Sequence, residues 1–242
     1  MSLFEKFLWK LLGERNFKNL RNKYYLFLEK HLPSSWRVVH SQMGEDLILL
    51  NLLQSVNTGF YVDVGAFHPI ELSNTYLFYK RGWKGINIDA TPGTMKMFNI
   101  LRPDDINLEI GISDKESRMP FYLFEMRALN TFSEKGVEYA KRTFGLDPTK
   151  KVMVHFYPLS AILDKYLPDG KNIDFLSIDV EGADEVVLRS NNWEKYKPRV
   201  ICIEYHGDFE EFQTSELFQF LKNLNYHFAA KTGPSHFFYL AD

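Results

Sequence analysis

Phe60-Tyr61-Val62-Asp63-Val64-Gly65-Ala66-Phe67-His68-Pro69 is an apolar, β-branched run that ends in an acid and a glycine before the chain turns. A parallel strand buried on both faces reads this way when it delivers a loop to a ligand. A second such run, Gly85-Ile86-Asn87-Ile88-Asp89, also ends in an acid, and Ser73 to Tyr79 between them reads as helical. The pair forms a βαβ unit with a carboxylate where a ribose would be gripped.

Outward from this unit, strands are expected at Phe60–Val64, Ile86–Asp89, Ile106–Ile112, Phe175–Asp179 and Val200–Glu204, with a late pair near His227 and at Phe237–Leu240. Helical stretches fall at 47–53, 73–80, 92–101, 183–190 and 214–224. Alternation of this kind implies an α/β fold, a mainly parallel central sheet with helices on both faces. Residues 113–157 interrupt it with a turn, an antiparallel strand at Met119–Phe124, a polar segment and a short helix near Glu134–Arg142. So long an insertion is the expected lid or acceptor-binding wall. Residues 1–40 are expected to form an N-terminal helical cap, since Phe4, Phe7, Leu8, Leu11 and Leu12 recur at helical spacing and a second run, Leu20–Leu32, stops at Pro33. Such a cap would pack on the main domain, residues 41–242, or join two subunits of a homo-oligomer.

Composition narrows the function. Of 242 residues, 45% are hydrophobic and 25% charged, which suits a chain that fills a core. A net charge of −2, without a basic stripe, argues against a nucleic-acid binder. The lone cysteine, Cys202, sits in an apolar strand and reads as inert core. No apolar run approaches the roughly 20 residues that span a bilayer, and the first residues lack a signal-type segment. The expectation is a cytoplasmic protein without a transmembrane segment.

The loop after the first strand holds Gly65 and no second glycine before Pro69. Phosphate cradles need several glycines, so neither the dinucleotide fingerprint nor the P-loop is present. A ligand that needs a ribose clamp without a phosphate cradle fits better, and S-adenosylmethionine is one. Asp63 would engage the loop backbone or the methionine ammonium, and Asp89 would accept both ribose hydroxyls, because a carboxylate offers only acceptors. Asn172 to Gly182 is another buried strand ending in acids, and Pro198 to Gly207 the next. Ligands of open α/β sheets lie beyond the carboxyl ends of the strands, so Asp179, Glu181, Glu204 and His206 should converge on the same crevice. Of these, His206 is the first choice as general base, with Asp179 and Glu204 as alternatives or as its orienting partners. His68 would face the crevice or cap the following helix. Acids with one histidine would also suit a divalent cation, but no tight ligand spacing demands one, and a metal-free site is preferred. Hydrolase and zinc motifs are absent from the sequence.

Taken together, these segments resemble the FkbM family of S-adenosylmethionine-dependent methyltransferases. The resemblance is carried by Ser41-Gln42-x-Gly44-Glu45-Asp46, Phe60–Ala66, Ser73-Asn74-Thr75-Tyr76, Gly85–Ala90 with Pro92-Gly93, Ile112-Ser113-Asp114 and Leu176–Gly182. It implies a Rossmann-like class I methyltransferase fold whose last strands form an antiparallel hairpin. It also implies O-methylation of a hydroxyl on a sugar, glycan or secondary metabolite, as in polysaccharide biosynthesis. Asp63, Gly65, Ala66 and the adjacent Phe67 match the first cofactor loop, and Asp89 with Ala90 matches the ribose acid. Gln42 and Ser73 are implied to approach the methionine end, Gly111 and Ile112 the adenine, and Asp179 the transferred methyl. Two other readings remain at this point. An NAD-dependent sugar epimerase or oxidoreductase is opposed by the missing glycines, and a silent cofactor-binding scaffold by the acids kept at four strand ends.

Overall fold

The computed structural model describes residues 38–241, so the expected cap at 1–40 lies almost wholly outside the described residues. β1 (Phe60–Val64) is buried along its whole length. Its side chains alternate: Val62 and Val64 join one core, Tyr61 another on the opposite face. A continuous apolar run is thus what a central strand with a core on each side requires.

Around β1 the sheet is built from β2 (Lys84–Ile88), β3 (Ile106–Leu108), β7 (Phe175–Ile178), β8 (Val200–Glu204), β9 (Tyr226–Thr232) and β10 (Ser235–Leu240). Its seven strands run in the order β3-β2-β1-β7-β8-β10-β9. β3, β2, β1, β7 and β8 are parallel neighbours, while β10 runs antiparallel to both β8 and β9. This is a large, mostly parallel sheet ending in the expected hairpin, and it is compatible with a methyltransferase fold. Leu159, Ile162 and Leu163 of α5 (Leu159–Tyr166), Val187 and Leu188 of α6 (Asp184–Arg189), and Leu217 and Leu221 of α8 (Glu216–Asn223) cover the Val62 face. On the Tyr61 face lie Leu49 of α1 (Glu45–Leu52) and Phe78 of α2 (Tyr76–Tyr79). α3 (Met95–Leu101) packs Met95 and Phe98 on Ala66, and α7 (Phe209–Thr214) precedes α8.

Four expectations need correction. The run 106–112 is two strands: β3 ends at Leu108, and β4 (Gly111–Ile112) belongs to a second, three-stranded sheet ordered β4-β6-β5. The helix expected at 73–80 shrinks to the four residues of α2, because Ser73 and Thr75 spend their hydroxyls on buried partners. β5 (Ser117–Leu123) is the expected antiparallel strand, but its partner β6 (Lys150–Tyr157) was hidden in a lysine-rich stretch. α5 was missed as well. Between β5 and β6 lie a 3-10 turn at Arg127–Leu129 and α4 (Glu134–Phe144), close to the expected helix.

Candidate active site

Gly65 ends β1 with φ 88°, and a Cβ there would stand 1.7 Å from the Asp179 carbonyl oxygen. Only glycine lets the β1 and β7 loops come this close. The backbone N–H groups of Gly65 and Ala66 donate to the Ile88 carbonyl at 2.9 and 3.0 Å, and Asp179 N donates to Val64 O at 2.9 Å. Three strand ends are thereby tied into one rim.

Beyond that rim lies a cavity. Gln42, Gly65, Phe67, Asp89, Ala90, Gly111, Ile112 and Asp179 line it, and so does Glu181. Asp89 is held by two backbone donors, Phe67 N to Oδ2 at 2.9 Å and Thr91 N to Oδ1 at 2.7 Å. Its carboxyl is raised above the usual range by burial, against the pull of these bonds. An ionised carboxylate has about four lone-pair directions, so with the Thr91 hydroxyl also bonded to it, room remains for a further donor. Phe67 adopts a positive φ of 50°, and its hydrogen bond to Asp89 holds it there. Gln42 reaches the cavity because the segment before α1 is knotted: Asp46 accepts from His40 N and Ser41 Oγ, each at 2.8 Å, and Glu45 accepts from Met43 N at 2.7 Å.

The insertion supplies the opposite wall with Phe121, Phe132 and Phe156, besides Arg127 and Asn130. A Cβ on Gly111 would come within 2.1 Å of the Phe156 ring, so glycine is what admits that ring. Arg127 donates to Thr94 Oγ1 at 2.7 Å and Asn130 to Thr91 Oγ1 at 3.1 Å, which bind the wall to the loop after β2. Thr131 Oγ1 donates to Glu181 O at 3.0 Å, binding it also to the loop after β7.

Asp63, Ala66 and Ser73 do not line this cavity. Asp63 points to the Tyr61 face, where Oδ2 accepts from Thr75 Oγ1 at 2.8 Å, and Ser73 Oγ accepts from Arg102 Nη2 at 2.7 Å. Both belong to a network centred on Arg102, which is fully buried. Arg102 also donates to Pro69 O at 2.7 Å and to Thr75 Oγ1 at 2.8 Å, and stands 3.8 Å from Asp105. Burial pushes the Asp63 carboxyl up to about 6 despite Thr75 and Arg102. Ala66 is core, beside Met95 and Phe98. His68 caps the next turn, its Nδ1 accepting from Glu71 N at 2.9 Å and Ile70 N at 3.2 Å. Cys202 is buried, as expected.

A neighbouring pocket shares Glu181 with the first. Glu204 and His206 line it together with Asp184 and with Lys135, Tyr139 and Arg142 of α4. His206 Nε2 stands 3.4 Å from Glu204 Oε2, and its ring stacks on Tyr139 at 4.9 Å between centroids. Asp184 is a loop clamp, accepting from Val180 N at 3.1 Å and Gly182 N at 3.2 Å. Burial, then the charge of Glu204, lifts Asp179 well above the carboxylate range, Glu181 to about 8 and Asp184 to about 7. His206 is raised chiefly by its hydrogen bond to Glu204. The two pockets thus meet at Glu181, one walled by apolar rings and the other lined by several acids and His206.

The Methyltransferase FkbM domain matches residues 63–228, more than half of the chain. The chain belongs to the FkbM methyltransferase family. The match opens on the Asp63 of β1 and closes inside β9, so it takes in the second pocket, the insertion wall and most of the first pocket. Of the residues lining the two pockets, only Gln42 lies before it. No curated protein matches the chain significantly. For an FkbM methyltransferase, sequence reasoning missed Arg102 and the insertion residues Phe121, Arg127, Asn130, Phe132 and Phe156. The arginine follows a plain helix and precedes Pro103, with nothing local to flag it, and the aromatics read as core.

Proposed function

We propose that this FkbM methyltransferase uses S-adenosylmethionine to methylate a hydroxyl of a sugar, glycan or secondary-metabolite acceptor. The observation that carries this reading is the cavity running from Asp89, fixed by backbone donors, to Asp179 and on to Glu181, which it shares with an acid- and imidazole-lined pocket. The residues suit the cofactor. Asp89 keeps acceptor capacity for a ribose hydroxyl, while Ile112, Phe121 and Phe156 offer apolar surface to a base at the far end. Gln42 and Gly65 would contact the methionine end, and Asp179 would stand beside the reacting groups.

When bound, the cofactor supplies an electrophilic methyl on a sulfonium. Little else is asked of the protein than alignment, an advantage that can reach roughly 7–11 kcal/mol. The acceptor's proton must also leave, and the Glu204–His206 pair is suited to take it, with Asp179 as the alternative. The insertion walls both pockets, and we assign acceptor contacts to Tyr139 and its neighbours there.

Calorimetric titration with S-adenosylhomocysteine, with NAD in parallel, tests the reading. Micromolar binding of the first alone, about −8 kcal/mol, supports it. Binding of NAD alone overturns it in favour of an oxidoreductase.

A further inference from the structure

Glu181, Glu204 and His206 come from two different loops, after β7 and at the end of β8, yet one donor atom of each lies within 4.8 Å of the others. Atoms that share a cation at 2.0–2.6 Å are at most about 5 Å apart, so the three already stand at ligand spacing. The set is not a patch of surface acids. The Glu204 side chain is only 9% exposed and aimed into the pocket. Among the described residues its side-chain partners are His206, a member of the set, and the neighbouring acid Asp179. No lysine or arginine of the described residues forms an ion pair with Glu181 or Glu204, although Lys135 and Arg142 line the pocket rim. A buried carboxylate without a cation is costly.

The other side of the site is open. The His206 side chain is 36% exposed, so a cation can enter and keep positions for water or a hydroxyl. Tyr139 stacks on the imidazole and restricts its plane. Thr131 Oγ1 donates to the Glu181 carbonyl, which steadies the loop that carries the second carboxylate.

We propose that Glu181, Glu204 and His206 bind one divalent cation beside the donor cavity. Two carboxylates and one imidazole make a mixed oxygen–nitrogen set, suited to Mn²⁺. Resting on the transferase reading above, the cation would coordinate the acceptor hydroxyl and make its proton easier to lose. His206 then serves as a ligand and the proton passes to Asp179, so the metal-free site favoured by the sequence gives way to a metal-assisted one.

The test is titration of the full chain with Mn²⁺, followed by electron paramagnetic resonance of the free ion. The expected result is one saturable site per chain, weakened at least tenfold in both Glu181→Gln and His206→Ala and unchanged in the surface variant Asp164→Asn. Thermal melting without metal establishes that each variant is folded. Absence of saturable binding to the unmodified chain overturns the proposal, as does binding indifferent to both substitutions. Titrating the same samples with S-adenosylhomocysteine reports separately on the transferase reading, since Mn²⁺ binding does not depend on it.

Discussion

Two groups of acids flank β1, and they are treated oppositely. On the Tyr61 face, Asp63 and Asp105 surround Arg102, whose donors also reach Ser73, Thr75, Asn87 and Pro69. At the strand ends, Asp179, Glu181 and Glu204 crowd together, and among the described residues their one ion-pair partner is His206. Asp63 is the more buried of the two, yet its carboxyl rises only to about 6, whereas Glu181 rises to about 8. The difference is the guanidinium and the hydroxyls around it. The first group is a finished structural network that holds the loop from Pro69 to Tyr76 against the sheet. The second is electrostatically incomplete, the condition of a site that awaits a proton or a cation.

The contrast can be broken most directly at Arg102. Arg102→Leu should lose about 3–5 kcal/mol of stability, because it leaves two buried acids without their cation. Denaturant unfolding that shifts by less than about 1 kcal/mol would mean the network is not structural. At the other group, His206→Ala should leave the fold and S-adenosylhomocysteine affinity intact while lowering turnover roughly 10²–10⁴-fold. Steady-state rates near those of the unmodified chain would remove the imidazole from the chemistry.

Asp89 is a third kind of acid, already held by two N–H donors yet lining a cavity. Asp89→Asn should weaken S-adenosylhomocysteine binding about 10- to 100-fold, the worth of a hydrogen bond to a charged group. Calorimetry with unchanged affinity would leave Asp89 a mere loop clamp, like Asp184.

The last expected effect is a pH slope. The folded state raises Asp63 from 3.8 to about 6 and so favours its protonated form. Its contribution to stability is therefore complete below 3.8 and lost as pH rises through about 6. The slope is at most about 1.4 kcal/mol per pH unit. Asp63→Asn should flatten the melting profile across that window, and a profile identical to that of the unmodified chain would assign the slope elsewhere.

Much of the fold was legible in the sequence. Runs such as Phe60–Val64, Phe175–Ile178 and Val200–Glu204 are apolar at successive positions because a core lies on both sides, and their ends marked the loops correctly. Pairing across long separations was not legible. β6 carries Lys150, Lys151 and His155 among its apolar residues and declares itself only by pairing with β5. Ile106 to Ile112 reads as one strand, yet it leaves the main sheet after Leu108 and joins the wall at Gly111.

The same division holds at the candidate site. Acids at four strand ends follow from the sequence alone, because strand and loop are distinguished by residues close in the chain. Which way each acid faces was decided by tertiary structure. Successive side chains of a strand point to opposite faces, and what waits there comes from distant segments. Arg102 waits for Asp63, from a helix 39 residues on; the aromatic wall of the insertion waits across the cavity from Asp89; and for Glu181 there is Glu204, at the end of the next strand.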